Sequence, residues 1–512
     1  WSMIEFLQYN ESNLKIICPD FGAEQDISEF FTFFADGYKF QPKFRSGQWD
    51  GKIRLFNSRS KTLPKGLLKI AIEFCKDREY DFSIDPQLNP NSNIQPQKII
   101  EFIKSIPVTS NGKSIEVRDY QQEAILKSFH TYRNILISPT SSGKSLMLYY
   151  KIRYHIDVLN HNVIIVVPTT QLVEQMLSDF EDYSQHNGWD VEGNCQILYA
   201  GKEKVFSKKL MISTWQSLNA MGKSAPGILN DIVKRAEVVC FDETHRYSAS
   251  VVLDVMGRFT HTKWRTGTTG TLDDSKLNKL QLIGLIGEPY QVITTKTLMD
   301  EGSISPLKIK MLLLTYPDHV KKELKGLDYK AEINYLVGNE QRTDFIVNLA
   351  NACTGNTLIL FSFVTRHGSV IYEKLLKKAV PGRLVKFVHG GVDVDEREEI
   401  RRIVESETNA IIIATSSIFS TGTNIPSIEN IIFAMPTKSS VRVRQSIGRG
   451  LRLKSGKSHC TLFDISDDLS WKTYRNTTLK HMQDRVVIYD KESFDYQLIR
   501  TQIPGMVYQL TA

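Results

Sequence analysis

Eight short runs rich in Val, Ile, Leu and Phe recur along the chain in two series, and they limit its fold more than any other feature. Asn134–Ile137, Val163–Val167, Leu210–Ser213 and Val238–Phe241 form the first series. Thr357–Phe361, Leu384–Val388, Ala410–Ala414 and Asn430–Phe433 form the second. Strands apolar on both faces belong in parallel sheets covered by helices, and amphipathic stretches lie between these runs. Two βαβ series in succession predict an α/β protein with two doubly wound lobes side by side. Glu301–Pro306 is the predicted hinge between them.

The rest of the chain falls around these lobes. Three prolines among Asn, Gln and Ser in 86–97 predict a linker. It sets off a small α+β N-terminal domain, 1–90, from lobe 1 (91–304), lobe 2 (305–466) and a tail (467–512). Leu479, Met482, Val486 and Tyr489 recur at helical spacing, and Phe494, Tyr496 and Leu498 alternate, so the tail reads as a helix and an edge strand on lobe 2. Trp1-Ser2 ahead of Met3 read as an added remnant. No run approaches the ~20 apolar residues of a membrane helix, which argues against a membrane partner. The six cysteines are widely spaced with no C-x-x-C pair, so neither a structural metal nor a disulfide framework is expected, and a cytoplasmic location is.

Ser138-Pro-Thr140-Ser141-Ser142-Gly143-Lys144-Ser145 follows a strand and precedes a helix-like run. Backbone amides at a helix start surround an anion, Lys144 reaches terminal phosphates, and Ser145 ligates Mg²⁺. Val238–Phe241 ends in Asp242-Glu243-Thr244-His245, a strand expected to neighbour the phosphate-loop strand. Asp242 suits the Mg²⁺ shell, and Glu243 suits activation of the attacking water. Gln445-Ser-Ile-Gly-Arg449-Gly-Leu-Arg452 carries two arginines on one helix face, expected to act as fingers on the γ-phosphate. ATP and Mg²⁺ are the implied cofactors.

In combination these segments resemble the superfamily-2 DExH-type helicases over about residues 115–465. The resemblance implies two tandem RecA-like lobes and assigns further segments. Arg118-Asp-Tyr-Gln121 resembles the adenine-reading element. Val167-Pro-Thr-Thr170 and Ser213-Thr-Trp215 resemble strand-binding motifs, with Thr169 and Thr214 as contacts. Thr266–Thr271 resembles the coupling motif. Phe361–Arg366 and Thr421–Ile425 resemble motifs of the second lobe, with Arg366 and Thr421 as nucleic-acid contacts.

Net charge is +7, and residues 38–69 hold nine basic residues against Asp50 alone. A basic segment on a nearly neutral remainder marks a polyanion site, with Lys43, Arg45, Lys52 and Arg54 as candidate phosphate contacts. Phe40, Phe44, Trp49 and Phe56 interleave with these cations. A domain core is the expected use for the rings, stacking on exposed bases is the other, and Trp49 is the candidate stacking ring. Together with TSSGKS and GTTGT, this segment is similar to the recombination helicases of T-even-type bacteriophages. That similarity implies forks, Holliday junctions, displacement loops and RNA–DNA hybrids as substrates. The motor motifs by themselves leave RNA tracks, and an ATP-dependent clamp that does not travel, as alternatives. A monomer is the expected state.

Overall fold

Val163–Val167 is buried at every position, as a central parallel strand requires, and so are Leu210–Thr214, Val238–Phe241, Thr357–Phe361 and Ile411–Thr415. The computed structural model describes residues 3–199, 205–247, 250–272, 275–378, 380–389, 406–415, 428–435 and 459–508. These form two compact units, one carrying Trp1–Ser138 and Ser142–Ile293, the other Pro139–Ser141 and Thr294–Ala512.

In the first unit seven strands form one sheet. Their order is Cys195–Leu198, Leu210–Thr214, Val163–Val167, Val238–Phe241, Trp264–Thr269, Arg133–Ile137 and Glu288–Gln291. Every pairing is parallel. The expectation that Val238–Phe241 neighbours the phosphate-loop strand is corrected here, because Trp264–Thr269 lies between them. Its Gly267 is level with both Phe241 and Ile135, so three strands deliver their carboxyl ends to one edge.

The N-terminal residues form a four-stranded sheet ordered Thr62–Pro64, Asn13–Ile17, Ile4–Gln8 and Phe82–Ile84, with helices Phe21–Phe30 and Leu68–Asp77. Its core of Ile4, Phe6, Leu14, Phe31, Phe56 and neighbours also takes in Leu280 and Ile283 of the motor lobe. The turn between its first two strands is held by the same lobe. Glu11 accepts a hydrogen bond from Arg133 at its carbonyl and pairs its carboxylate with Lys65 at 2.8 Å. The Ser12 hydroxyl accepts from Arg265 Nη2 at 2.9 Å and donates to the Gly257 carbonyl at 2.8 Å. Arg265 and Arg133 are register partners at the starts of adjacent strands.

The predicted linker is neither helix-free nor loose. Tyr132 N–H donates to the Pro90 carbonyl and Ser92 N–H to the His130 carbonyl, each at 2.9 Å, which straps the segment to the motor lobe. A helix starts at Pro96 and runs to Ser105, because proline is well tolerated in a first turn whose N–H has no helical partner.

In the second unit the sheet order is Val385–Val388, Ile411–Thr415, Thr357–Phe361, Asn430–Phe433, Cys460–Asp468, Leu307–Thr315 and Tyr496–Gln502, again all parallel. The tail is the helix Thr477–Lys491 and that last edge strand, as its periodicity predicts. A fully buried ion pair, Arg485 with Asp464 at 2.7 Å, locks the helix, and a second, Arg342 with Asp467 at 2.8 Å, joins the helix Glu340–Ala352 to the strand Cys460–Asp468. Tyr316 and Tyr489 donate their hydroxyls to the same carboxylates.

Close approach of backbone explains Gly66, where a Cβ would stand 1.9 Å from the Ile283 carbonyl oxygen. Gly66→Ala forces the N-terminal sheet away from the motor lobe. An overpacking loss of about 1–3 kcal/mol is expected, read as a lowered midpoint in denaturant unfolding.

Candidate nucleotide site and nucleic-acid contacts

The strand Arg133–Ile137 runs into buried Ser138, and the helix Lys144–Asp157 opens six residues later. The intervening loop turns through two left-handed residues, Ser141 (φ 70°) and Gly143 (φ 84°). Glycine is required at 143 twice over, because a Cβ there would also stand 2.3 Å from Gln121 Nε2. Ser141 holds its angle without that freedom. The Ser138 hydroxyl donates to Ser142 Oγ across the loop at 2.5 Å.

From outside, the loop is fastened by the Arg118–Gln121 segment. The Ser142 carbonyl accepts from Gln121 Nε2 at 2.8 Å and from the Tyr120 hydroxyl at 3.0 Å. Gln121 Oε1 accepts the Arg118 N–H at 2.9 Å. Each end of the buried Gln121 amide thus makes one bond inside the protein, which leaves one N–H and one lone pair over for a base. Arg118 is exposed.

Asp242 and Glu243 stand at the end of Val238–Phe241 in different surroundings. Asp242 is buried, and Oδ1 accepts the Thr268 hydroxyl at 2.5 Å, as the strand register allows. Burial raises its pKa above the ordinary carboxylate range, and the charge of Glu243 adds to the rise. Glu243 has left-handed backbone (φ 53°, ψ 50°). Its carboxylate lies 3.3 Å from Lys144 Nζ and, through the other oxygen, 3.3 Å from His245 Nδ1. His245 Nδ1 is also 2.8 Å from Thr269 Oγ1, whose own proton is donated to the Thr271 carbonyl at 2.6 Å. That pattern makes His245 Nδ1 the donor to Thr269, with the Glu243 carboxylate alongside the same nitrogen.

Ser145 Oγ, at the start of the helix, is 2.7 Å from the Tyr183 hydroxyl. Among the described residues no group of three His, Cys, Asp or Glu side chains is placed to hold a metal alone. A lone hydroxyl and a buried carboxylate fit Mg²⁺, which takes few protein oxygens and fills its shell from substrate phosphates and water. Gly143, Lys144 and the amide-bearing helix start fit a polyphosphate.

The other predicted contacts divide. Lys43, Arg45, Lys52 and Arg54 are exposed, although Arg54 is engaged by Asp50 at 2.5 Å. Of the four rings, Phe56 is core, as expected for all of them, whereas Phe40 is 76% exposed. Trp49 is half-buried, and its Nε1 donates to the Lys52 carbonyl at 3.0 Å. Phe34, missed in the sequence because it lies outside the basic run, is exposed and stacks on Tyr38 at 4.7 Å. Thr169 is partly exposed and caps the helix Thr170–Ser184. Thr214 is corrected, since it is buried and its Oγ1 caps the helix Trp215–Ser224, accepting Ser217 N–H at 3.2 Å. Arg366 is exposed, bonded to Asn334 and 4.0 Å above the Phe363 ring. Thr421, Gln445, Arg449 and Arg452 lie outside the described residues.

Three family models match this chain. They are DNA helicase UvsW, N-terminal, over residues 3–85; type III restriction enzyme, res subunit, over 114–274; and helicase conserved C-terminal domain, over 341–454. The ATP-dependent DNA helicase uvsW of Enterobacteria phage T4 is 31% identical over 502 residues, covering 95% of this chain and 97% of that protein. The DNA 3'-5' translocase XPB2 of Sulfurisphaera tokodaii is 22% identical, covering 69% of this chain and 82% of that protein. The crystal structure of T4 UvsW superposes with a TM-score of 0.52 at 29% identity, covering 98% of this chain and 100% of that one.

The placement of Glu243 makes one outcome specific. Glu243→Gln should retain nucleotide binding while turnover falls by roughly 10²–10⁴, since an amide cannot take the proton of water. A fluorescent-ADP titration beside a phosphate-release assay separates the two, and near-wild-type turnover would remove Glu243 from the role of base.

Proposed function

This chain belongs to the UvsW family of ATP-dependent DNA helicases, and on that premise we propose that it is an ATP-driven motor acting on branched DNA. The observation that carries the catalytic part is the meeting of Lys144, Asp242 and Glu243 at the carboxyl edge of one sheet. Mg²⁺, when bound with ATP, would supply positive charge against the phosphates, with Ser145 as its protein oxygen and Asp242 holding it through water. Lys144 exchanges Glu243 for the terminal phosphates. Glu243, released from that ion pair, takes a proton from the attacking water. Thr268 and Thr269, one strand over, hold Asp242 and His245, so movement of that strand reaches both acidic residues.

The branched-DNA part rests on the protrusion between Thr32–Phe34 and Lys52–Arg54, which pair as an antiparallel hairpin. Its short helices Tyr38–Phe40 and Pro42–Arg45 present Lys39, Lys43 and Arg45 beside the exposed rings of Phe34 and Phe40. Lys52 Nζ lies 5.4 Å over Phe34 and Lys39 Nζ 5.9 Å from Tyr38. Cations that neutralise phosphates next to uncovered ring faces suit a place where duplex meets unstacked bases. Recombination, repair and replication restart are the processes that supply such DNA.

Two variants test the assignment, with binding followed by fluorescence anisotropy on matched blunt-duplex and four-way-junction probes. Neutralising Lys43, Arg45 and Lys52 should flatten the salt dependence of duplex binding by up to about 0.9 per lost phosphate contact. Phe40→Ala should cost roughly 1–3 kcal/mol on junctions with exposed bases and little on blunt duplex. Equal losses on both probes would assign the ring to folding instead. ATPase stimulation by duplex, single-stranded DNA, RNA and a junction at one salt concentration tests the substrate class, and strongest stimulation by RNA would overturn it.

A further inference from the structure

Ser145 has a single hydroxyl proton and two lone pairs, and a metal ion needs one of those lone pairs aimed at it. The partner at 2.7 Å is the phenol of Tyr183, which neither the phosphate loop nor the acidic strand end supplies. Tyr183 is the penultimate residue of the helix Thr170–Ser184, and it is only 9% exposed.

Its position is fixed from several sides. The ring meets Tyr149 edge-on at 5.4 Å between centroids. The Tyr183 carbonyl accepts from Asn187 Nδ2 at 3.1 Å, and the same Nδ2 donates to the Tyr149 hydroxyl at 3.0 Å. The Tyr149 hydroxyl is 2.7 Å from Ser184 Oγ and accepts from Arg153 Nη1 at 2.8 Å. On the preceding residue, the Asp182 carbonyl accepts the Thr109 hydroxyl and its carboxylate accepts the Asn111 N–H at 2.8 Å. A phenol so held cannot follow a wandering serine, so the serine rotamer is set by the phenol.

We infer that Tyr183 is a positioning residue for the metal that accompanies ATP, acting by fixing the hydroxyl rotamer of Ser145; this rests on the reading of Ser145 as a metal ligand. Metal ligation polarises the Ser145 O–H and makes it the stronger donor. Tyr183 Oη then accepts that proton's hydrogen bond, and a Ser145 lone pair is left for the cation. Without the phenol the hydroxyl spreads over its staggered rotamers, and only a fraction of them present a lone pair correctly.

The test is binding of N-methylanthraniloyl-ADP to the full chain, titrated with MgCl₂ and repeated in EDTA. Tyr183→Phe keeps the ring and its packing. It should leave affinity in EDTA unchanged while raising the Mg²⁺ concentration for half-maximal tightening about three- to tenfold, the worth of one hydrogen bond. An unmoved Mg²⁺ midpoint, or an equal loss of affinity with and without Mg²⁺, overturns the inference and reduces Tyr183 to a packing residue. Ser145→Ala, measured alongside, should abolish most of the Mg²⁺ response. If it does not, the reading of Ser145 as ligand fails first and the inference falls with it. An intact Tyr183→Phe response beside a lost Ser145→Ala response condemns the Tyr183 role alone.

Discussion

Two guanidiniums at the starts of adjacent strands, Arg265 fully buried and Arg133 half-buried, set the terms for the whole first unit. Arg133 begins the strand that leads to the phosphate loop, and Arg265 stands level with it on the strand that leads to Thr268 and Thr269. Burial pulls both below the usual arginine pKa, and for Arg265 the like charge of Arg133 deepens the effect. The acidic charge that opposes this at both sites is Glu11, from the turn of the N-terminal sheet. Arg265 further donates to the carbonyls of Thr262, Leu285 and Phe259 and to the Ser12 hydroxyl. Desolvating an ion costs several kcal/mol after relaxation, and hydrogen bonds to charged groups return about 1.5–3 kcal/mol each. Lobe 1 thus depends on the N-terminal domain for charge compensation beneath its catalytic strands.

This dependence recasts the domain layout. The N-terminal sheet shares its core with Leu280 and Ile283, and the presumed linker is hydrogen-bonded along the motor lobe. A junction cavity of about 620 Å³ remains, walled by Leu68, Ile72, Leu88 and Tyr132 and edged by Lys65 and Arg133. The hairpin that carries Lys43, Arg45 and Phe40 thus belongs to the same unit as the strands that end in Ser138 and Asp242.

Where chemistry dictates residue type locally, the sequence was readable. Gly143-Lys144-Ser145 after a strand, and Asp242-Glu243 after another, are patterns complete within a few residues, and each stands at a strand end of one sheet. Strands apolar on both faces announced the two sheets in the same way. Features set by distant partners were not readable. Nothing near Gln121 says that its amide will hold the Ser142 carbonyl, 21 residues further along the chain. The insertion of Trp264–Thr269 between the two motif strands depends on sheet order, to which local periodicity is blind. Arg342 and Arg485 look like surface cations until buried Asp467 and Asp464 are placed beside them.

The left-handed backbone of Glu243 has an evolutionary consequence. A non-glycine residue in that region carries strain of order 1–3 kcal/mol, and a glycine there would relieve it. Glycine has no carboxylate, so the exchange that most comfortably fits the turn would also remove the base we propose. Selection for heat tolerance alone would therefore drift toward well-folded, inert chains at this codon. Only selection that also demands work from ATP keeps an acid in that uncomfortable angle.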